Sequence, residues 1–228
     1  MIVQTPAVVL KSFPYGDTSL VVRCFTRDMG KVSLIARGAR SKKSPLGAYL
    51  QPMSYLELVF YHKTTRELQT ISKVSFLGSW PAILGDLKKI SYGLAVVELT
   101  DKTQRDHDAH QDLFDLLVEV LTTINQRQER LNMVFWYFQV RLLSSLGFRP
   151  NLYDRELIGF TLPDPAAGPN SRLLIEALLE HDLASLPDLP VTARDRKAIA
   201  EYLNAQMRYH FENITELQSL KVLKQILD

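Results

Sequence analysis

Apolar and polar residues alternate with a period of two up to about residue 78. The alternation predicts strands at Ala7–Phe13, Ser19–Thr26, Lys31–Arg37, Ser54–Tyr61 and Leu68–Phe76. Turn chemistry marks the breaks: Pro14-Tyr15-Gly16-Asp17 and Arg27-Asp28-Met29-Gly30 supply a fixed φ and a tolerated positive φ. Five short strands, with a longer connection between the third and the fourth, suggest a small closed structure. An open sheet would leave unpaired edges, so a five-stranded OB-type β-barrel is the economical arrangement.

After Trp80-Pro81 the pattern takes the helical period of about 3.6 residues. Ile83, Leu87, Ile90, Leu94 and Val97 form one stripe, and Leu113, Leu117, Val120 and Ile124 another. Leu131, Phe135, Phe138, Leu142 and Leu146 form a third, stopped by Gly147 and Pro150. Residues 150–170, with Pro163, Pro165, Gly168 and Pro169, read as an irregular loop or hairpin. Helical spacing returns at Ser171–Leu183 and Thr192–Phe211, with a short helix near Leu217–Leu227. The expected class is therefore α+β and multi-domain: a barrel over residues 1–80, then an all-α domain over residues 81–228. No repeat of solenoid length is present.

Charge sharpens this division. The formal net charge of +2 hides a split, because residues 1–80 carry 11 Lys+Arg against 4 Asp+Glu and the remainder carries 16 against 21. Residues 29–56 contain no acid at all. A basic front joined to an acidic remainder points to a polyanion-binding module fused to a different kind of domain. The longest apolar runs fall far short of the ~20 residues of a membrane span. The opening Met-Ile-Val-Gln-Thr-Pro lacks a basic segment followed by an apolar one, so no secretory leader is expected. Cys24 is the one cysteine, which excludes internal disulfides and cysteine-based zinc; it reads as a small buried hydrophobe in a cytoplasmic protein.

Catalytic patterns are missing. Gly38 and Lys43 do not have the spacing of a phosphate-cradling loop, and neither a Gly-x-Ser-x-Gly elbow nor a His-Glu-x-x-His pair occurs. His107 and His110, beside Asp106 and Asp108, read as a solvated loop between helices, since structural zinc wants four closed ligands. The expectation is a binder, not an enzyme, with no cofactor or metal.

Single-stranded nucleic acid is held by a positive groove for phosphates and flat side chains for bases. Arg23, Arg27, Lys31, Arg37, Arg40, Lys42, Lys43, Arg66 and Lys73 are the candidate phosphate contacts. Tyr15 and Tyr49 are candidate platforms; Phe13 and Tyr61 could serve too, although the barrel core is their expected place. Arg37, Arg40, Lys42 and Lys43 stand apart, because four cations within seven residues repel one another unless an anion is expected.

Ala7-Val-Val-Leu-Lys-Ser-Phe-Pro-Tyr-Gly-Asp17, Leu20-Val-Val, Phe25-Thr-Arg-Asp-Met-Gly-Lys-Val-Ser33, Ala36-Arg-Gly-Ala-Arg40 and Leu50-Gln-Pro-Met-Ser-Tyr-Leu-Glu-Leu58 closely resemble the opening of the bacterial recombination mediator RecO. Leu142-Leu-Ser-Ser-Leu-Gly-Phe-Arg-Pro-Asn-Leu152 and Leu217-Gln-Ser-Leu220 resemble that family's helical domain. The resemblance is dense over residues 5–80 and patchier beyond. It implies DNA repair and homologous recombination: binding of single- and double-stranded DNA, annealing of complementary strands, and assistance with RecR in loading RecA onto DNA coated by single-stranded-DNA-binding protein. The implied location is the cytoplasm, with the nucleoid. One departure stands out. Many members carry a four-cysteine zinc site after the segment matching Gly147–Leu152, where this chain reads Tyr153-Asp154-Arg155-Glu156 without a cysteine. A zinc-lacking variant is expected.

Nothing in the basic stretch itself tells a 2′-hydroxyl from a hydrogen. An RNA-binding OB protein of ribosome or RNA metabolism is thus the alternative, and the resemblance alone favours DNA. It also implies a receptor for the acidic, aromatic-ended tail of single-stranded-DNA-binding protein. Arg130, Tyr137 and Arg141 lie within about 40° of one another on a helix of about 100° per residue. They flank the stripe centred on Phe138 and are the candidate tail contacts. The competing reading makes the arginines rim residues that cover the core with their stems.

Overall fold

A computed structural model describes residues 1–212, 214 and 217–221. Strands β1 (Ile2–Tyr15), β2 (Ser19–Thr26), β3 (Gly30–Ala36), β4 (Tyr55–Tyr61) and β5 (Leu68–Gly78) close into a barrel in the order β1-β2-β3-β5-β4. The expected OB-type barrel followed by helices is what the structure contains. β1 closes the ring: its first half pairs with β4 and its second with β2, with an irregularity between Val9 and Lys11 where it passes from one partner to the other. The β3–β5 pairing is parallel.

The alternation in sequence becomes an alternation in burial. Leu20, Val22 and Cys24 of β2, Val32, Leu34 and Ala36 of β3, and Leu56, Leu58 and Phe60 of β4 fill the interior. Each large apolar side chain buried this way contributes roughly 1.5–3 kcal/mol. A four-residue helix, α1 (Leu46–Tyr49), lies in the long third connection, and Leu46 and Tyr49 pack against the same core. Cys24 is fully buried, and burial pushes its thiol up to about 12, which leaves it inert at neutral pH.

Two compact units emerge: Met1–Gln126 together with the chain from Leu217, and Arg127–Glu216. The first holds the barrel, the short helix α2 (Pro81–Leu84), α3 (Leu87–Thr103) and α4 (Gln111–Gln126). The expected stripe from Ile83 to Val97 is broken, because Asp86 caps α3 by accepting from the Lys89 backbone N–H at 3.0 Å. α3 then buries Lys89, Gly93, Val96, Val97 and Thr100 and leaves Leu87 exposed. The Lys89 ammonium donates to the Asn125 carbonyl near the end of α4 at 3.0 Å.

These helices cover the outside of the barrel. α3 lies on β1, whose Val8 and Leu10 are buried although they alternate with core residues, and Phe114 of α4 lies 6.0 Å from Phe25, ring to ring. The segment after α3 fits the start of β3: the His107 N–H donates to the Lys31 carbonyl at 2.9 Å. Gly30, at φ +66, makes this approach possible, since a Cβ there would collide with the Asp108 backbone. From Leu217 the chain returns to α3, where the Glu98 carboxylate accepts from the Ser219 hydroxyl at 2.8 Å. Residues 218–221 are helical; the rest of the helix expected near Leu217–Leu227 lies outside the described residues.

The second unit is built on α5 (Leu131–Ser145), which is buried on nearly every side. Against it pack α6 (Ser171–Glu180) and α7 (Ala193–His210), which also pack on each other. Within the stretch expected to be irregular, β6 (Glu156–Leu157) and β7 (Phe160–Thr161) form a small hairpin.

Candidate nucleic-acid interface

OB barrels commonly read oligonucleotides on the outer face of strands 2 and 3 and on the neighbouring loops. Here part of that face is committed to the helices. The Nη1 of Arg23 on β2 donates to both carboxylate oxygens of Asp101 of α3, at 2.7 and 2.8 Å. Arg27 makes a two-pronged pair with Asp115 of α4, Nε and Nη2 each donating to one carboxylate oxygen at 3.0 and 2.9 Å, and this pairing holds the Asp115 carboxyl below the usual carboxylate range. Lys31 donates to the Asp101 carbonyl at 3.0 Å and stands 3.6 Å from the Asp106 carboxylate. Three of the nine candidate phosphate contacts are therefore neutralised by acids some 75 to 90 residues away in sequence, and they fasten helices to barrel.

The loop after β3 is placed differently. Arg37, Arg40, Lys42 and Lys43 are all exposed, and among the described residues none of them forms an ion pair. The loop is nevertheless held. The Arg40 backbone N–H donates to the Thr18 carbonyl at 2.7 Å, and its guanidinium to the Gly16 carbonyl at 2.9 Å, so one side is fastened to the β1–β2 turn. On the other side the Ala39 carbonyl oxygen lies 3.0 Å from where a Cβ on Gly47 would stand, so the loop backs onto α1. This produces an exposed cationic ridge whose geometry is held on both sides and whose charges, among the described residues, face no carboxylate.

Aromatic side chains stand at both flanks. Tyr15, beside Gly16, is exposed. At the other flank Tyr49 of α1 stacks on Phe76 of β5, with ring centroids 4.4 Å apart and planes inclined by 21°. The strand pattern conceals Phe76, because its parity is that of a core residue: it stands opposite Leu56, which is buried. Its place at the end of β5 leaves it 51% exposed. Phe13 and Tyr61, expected in the core, are also outside; Phe13 has the Lys11 ammonium 5.1 Å above its ring, and Tyr61 pairs across the sheet with exposed Ile2. Arg66 and Lys73 are exposed on the β4–β5 connection and on β5.

In the second unit, the candidate tail contacts hold the chain's own loop. Arg130 donates to Asp188 at 2.6 Å and to the Leu189 carbonyl at 3.2 Å, and it lines an open cleft of about 360 Å³ with Asn132, Pro190 and Arg196. Arg141 donates to the His181 carbonyl at 2.9 Å and lies 5.1 Å from the Tyr137 ring centroid. Tyr137 is buried, so it serves as the floor under Arg141. The Arg141 Nε is buried with no hydrogen-bond partner. After Leu152, Tyr153 lies under the Arg172 guanidinium at 4.1 Å and the β6–β7 hairpin follows. Among the described residues no group of three or more His, Cys, Asp or Glu side chains is placed to hold a metal ion.

A closed five-stranded barrel with the order 1-2-3-5-4 followed by helices defines a protein with an OB-type barrel fold. Residues 1–80 match the family model "Recombination protein O N terminal" and residues 84–221 match "Recombination protein O C terminal". The chain is 34% identical to the DNA repair protein RecO of Salinibacter ruber, over 99% of this chain and 94% of the relative. It is 31% identical to that of Laribacter hongkongensis, over 96% and 93%, and 35% identical to that of Chloroherpeton thalassium, over 79% and 69%. The chain belongs to the RecO family.

Proposed function

We propose that this protein is a DNA repair and recombination mediator that binds single- and double-stranded DNA, anneals complementary strands and assists RecR in loading RecA. The observation that carries the reading is the ridge of Arg37, Arg40, Lys42 and Lys43, unpaired among the described residues and fastened between the Tyr15 turn and the Tyr49 helix. Arg66, Lys73, Tyr15 and Tyr49 extend the surface, whereas the pairing of Arg23, Arg27 and Lys31 argues for a structural use of those three. Annealing needs no bond chemistry: a surface that neutralises phosphates while leaving base edges free lowers the repulsion between two strands. The work is thus non-enzymatic, in the cytoplasm at the nucleoid, and needs no cofactor. Residues 1–80 serve as the DNA-binding domain and residues 81–228 as the helical domain, where Arg130 and Arg141, the latter backed by buried Tyr137, receive the acidic tail of single-stranded-DNA-binding protein.

Salt dependence tests the ridge. If about 4–6 phosphates are contacted, log affinity for a single strand falls against log salt with a slope of roughly −3 to −4. Replacing Arg37, Arg40, Lys42 and Lys43 with Ala flattens that slope and weakens all sequences alike. An unchanged slope removes the ridge from the site. The same titration with RNA, followed by annealing without ATP, separates this reading from an RNA-binding protein: tight RNA binding without annealing of DNA would overturn it.

A further inference from the structure

We infer that Phe76, stacked on Tyr49, is a nucleobase platform that adds affinity for single strands over duplex. The inference rests on the nucleic-acid reading above and adds a residue and a selectivity to it. Three observations converge on the pair. The rings are parallel enough to continue a base stack, at 4.4 Å and 21°. Tyr49 covers one side of the Phe76 ring while 51% of Phe76 remains exposed, a large apolar surface left to water. Tyr49 also belongs to a helix whose Gly47 touches the basic ridge through Ala39.

The surroundings select the occupant. The ridge and Tyr49 both fall within residues 29–56, which contain no carboxylate, so a polyanion is favoured beside the rings. A strand whose phosphates lie on Arg37, Arg40, Lys42 and Lys43 reaches the rings with its bases. In a duplex those bases are already stacked and paired inside the helix, and only phosphates face the protein. The ridge therefore serves both forms of DNA, and the Phe76–Tyr49 pair adds affinity for the single strand alone.

The experiment uses the full-length protein and three labelled probes of equal length: oligothymidine, an abasic strand and a duplex. Phe76→Ala and Phe76→Leu weaken oligothymidine binding by roughly tenfold to a hundredfold, the range set by losing one base–aromatic stack. Both leave the abasic strand and the duplex as they were, and Phe76→Trp retains wild-type affinity for all three. Phe76→Leu keeps most of the volume, so it decides the matter if the Ala variant melts early. Unchanged oligothymidine binding, or an equal loss on all three probes, overturns the inference and leaves the exposed ring to a protein partner. Failure of the unmodified protein to bind any probe would instead sink the nucleic-acid reading on which the inference stands.

Discussion

Arg23, Arg27 and Lys31 carry the same formal charge as Arg37, Arg40, Lys42 and Lys43, and the two sets differ in what stands opposite them. The Asp101 side chain is only 12% exposed, and both its carboxylate oxygens accept from the Arg23 Nη1. Hydrogen bonds to charged groups contribute about 1.5–3 kcal/mol, more than an exposed ion pair does. Arg27 and Asp115 are more open to solvent, at 38% and 55%, so their pair contributes less. Asp101→Asn is expected to lower the free energy of unfolding in urea by about 1–3 kcal/mol. The slope of DNA affinity against salt should remain unchanged. If Arg23→Ala instead flattens the slope as much as a ridge substitution does, Arg23 contacts phosphate and its pairing with Asp101 is secondary.

At the scale of elements, period-two burial was legible because each strand keeps one face toward the barrel: Val32, Leu34 and Ala36 alternate with half-buried neighbours, as their spacing requires. The register shifts of β5 against β4 were not legible, since nothing in Ser75-Phe76-Leu77 announces an irregular pairing, and the strand pattern does not single out Phe76. Nor could spacing reveal the four-residue α1 or the acids opposite Arg23 and Arg27, which belong to helices far along the chain. Helix starts were more readable where capping chemistry is local. Thr192 and Asp195 form a capping box at the start of α7, with the Asp195 N–H donating to the Thr192 hydroxyl at 3.1 Å and the Thr192 N–H to the Asp195 carboxylate at 2.9 Å. The same carboxylate accepts from the Asn170 N–H at 2.7 Å, fastening the segment before α6. Burial alone would raise the Asp195 carboxyl, but the bonds from Thr192, Asn170 and Ser171 outweigh it and hold it below the ordinary value. The unfolded carboxyl titrates near about 3.9. Because the folded value is lower, the stabilisation is present above that pH and is lost as pH falls through the folded value. Asp195→Asn, which cannot accept all of these bonds, should cost about 1–3 kcal/mol at neutral pH. The difference from the unmodified protein should shrink below about pH 4. A deficit that stays constant into acid would show that packing, not charge, is what Asn disturbs.

At the scale of the whole molecule, the proposed function places DNA on the basic barrel of residues 1–80 and leaves the second unit for a partner. Arg127 donates to the Leu183 carbonyl at 3.0 Å, Arg141 to that of His181 and Arg130 to that of Leu189, so three arginines hold the 181–191 segment by its backbone. The carboxylates that accompany them are a weak claim on these cations: the Asp182 and Asp188 side chains are 85% and 98% exposed. Exposed pairs of this kind contribute about 0–1 kcal/mol, so an incoming acidic peptide can replace them at small cost. If the tail of single-stranded-DNA-binding protein docks here, replacing Arg130 and Arg141 together with Ala weakens binding of a tail peptide at least about tenfold, the equivalent of one charge-assisted hydrogen bond. Asp182→Asn with Asp188→Asn should act in the opposite direction and tighten the peptide, because the chain's own competitors are removed. Annealing of naked strands should stay intact in both variants, since the ridge is untouched. Calorimetric titration of the peptide, run beside the annealing assay, decides the matter. Unchanged peptide affinity in the arginine variant, or annealing that falls in parallel with it, would confine Arg130 and Arg141 to holding their own loop.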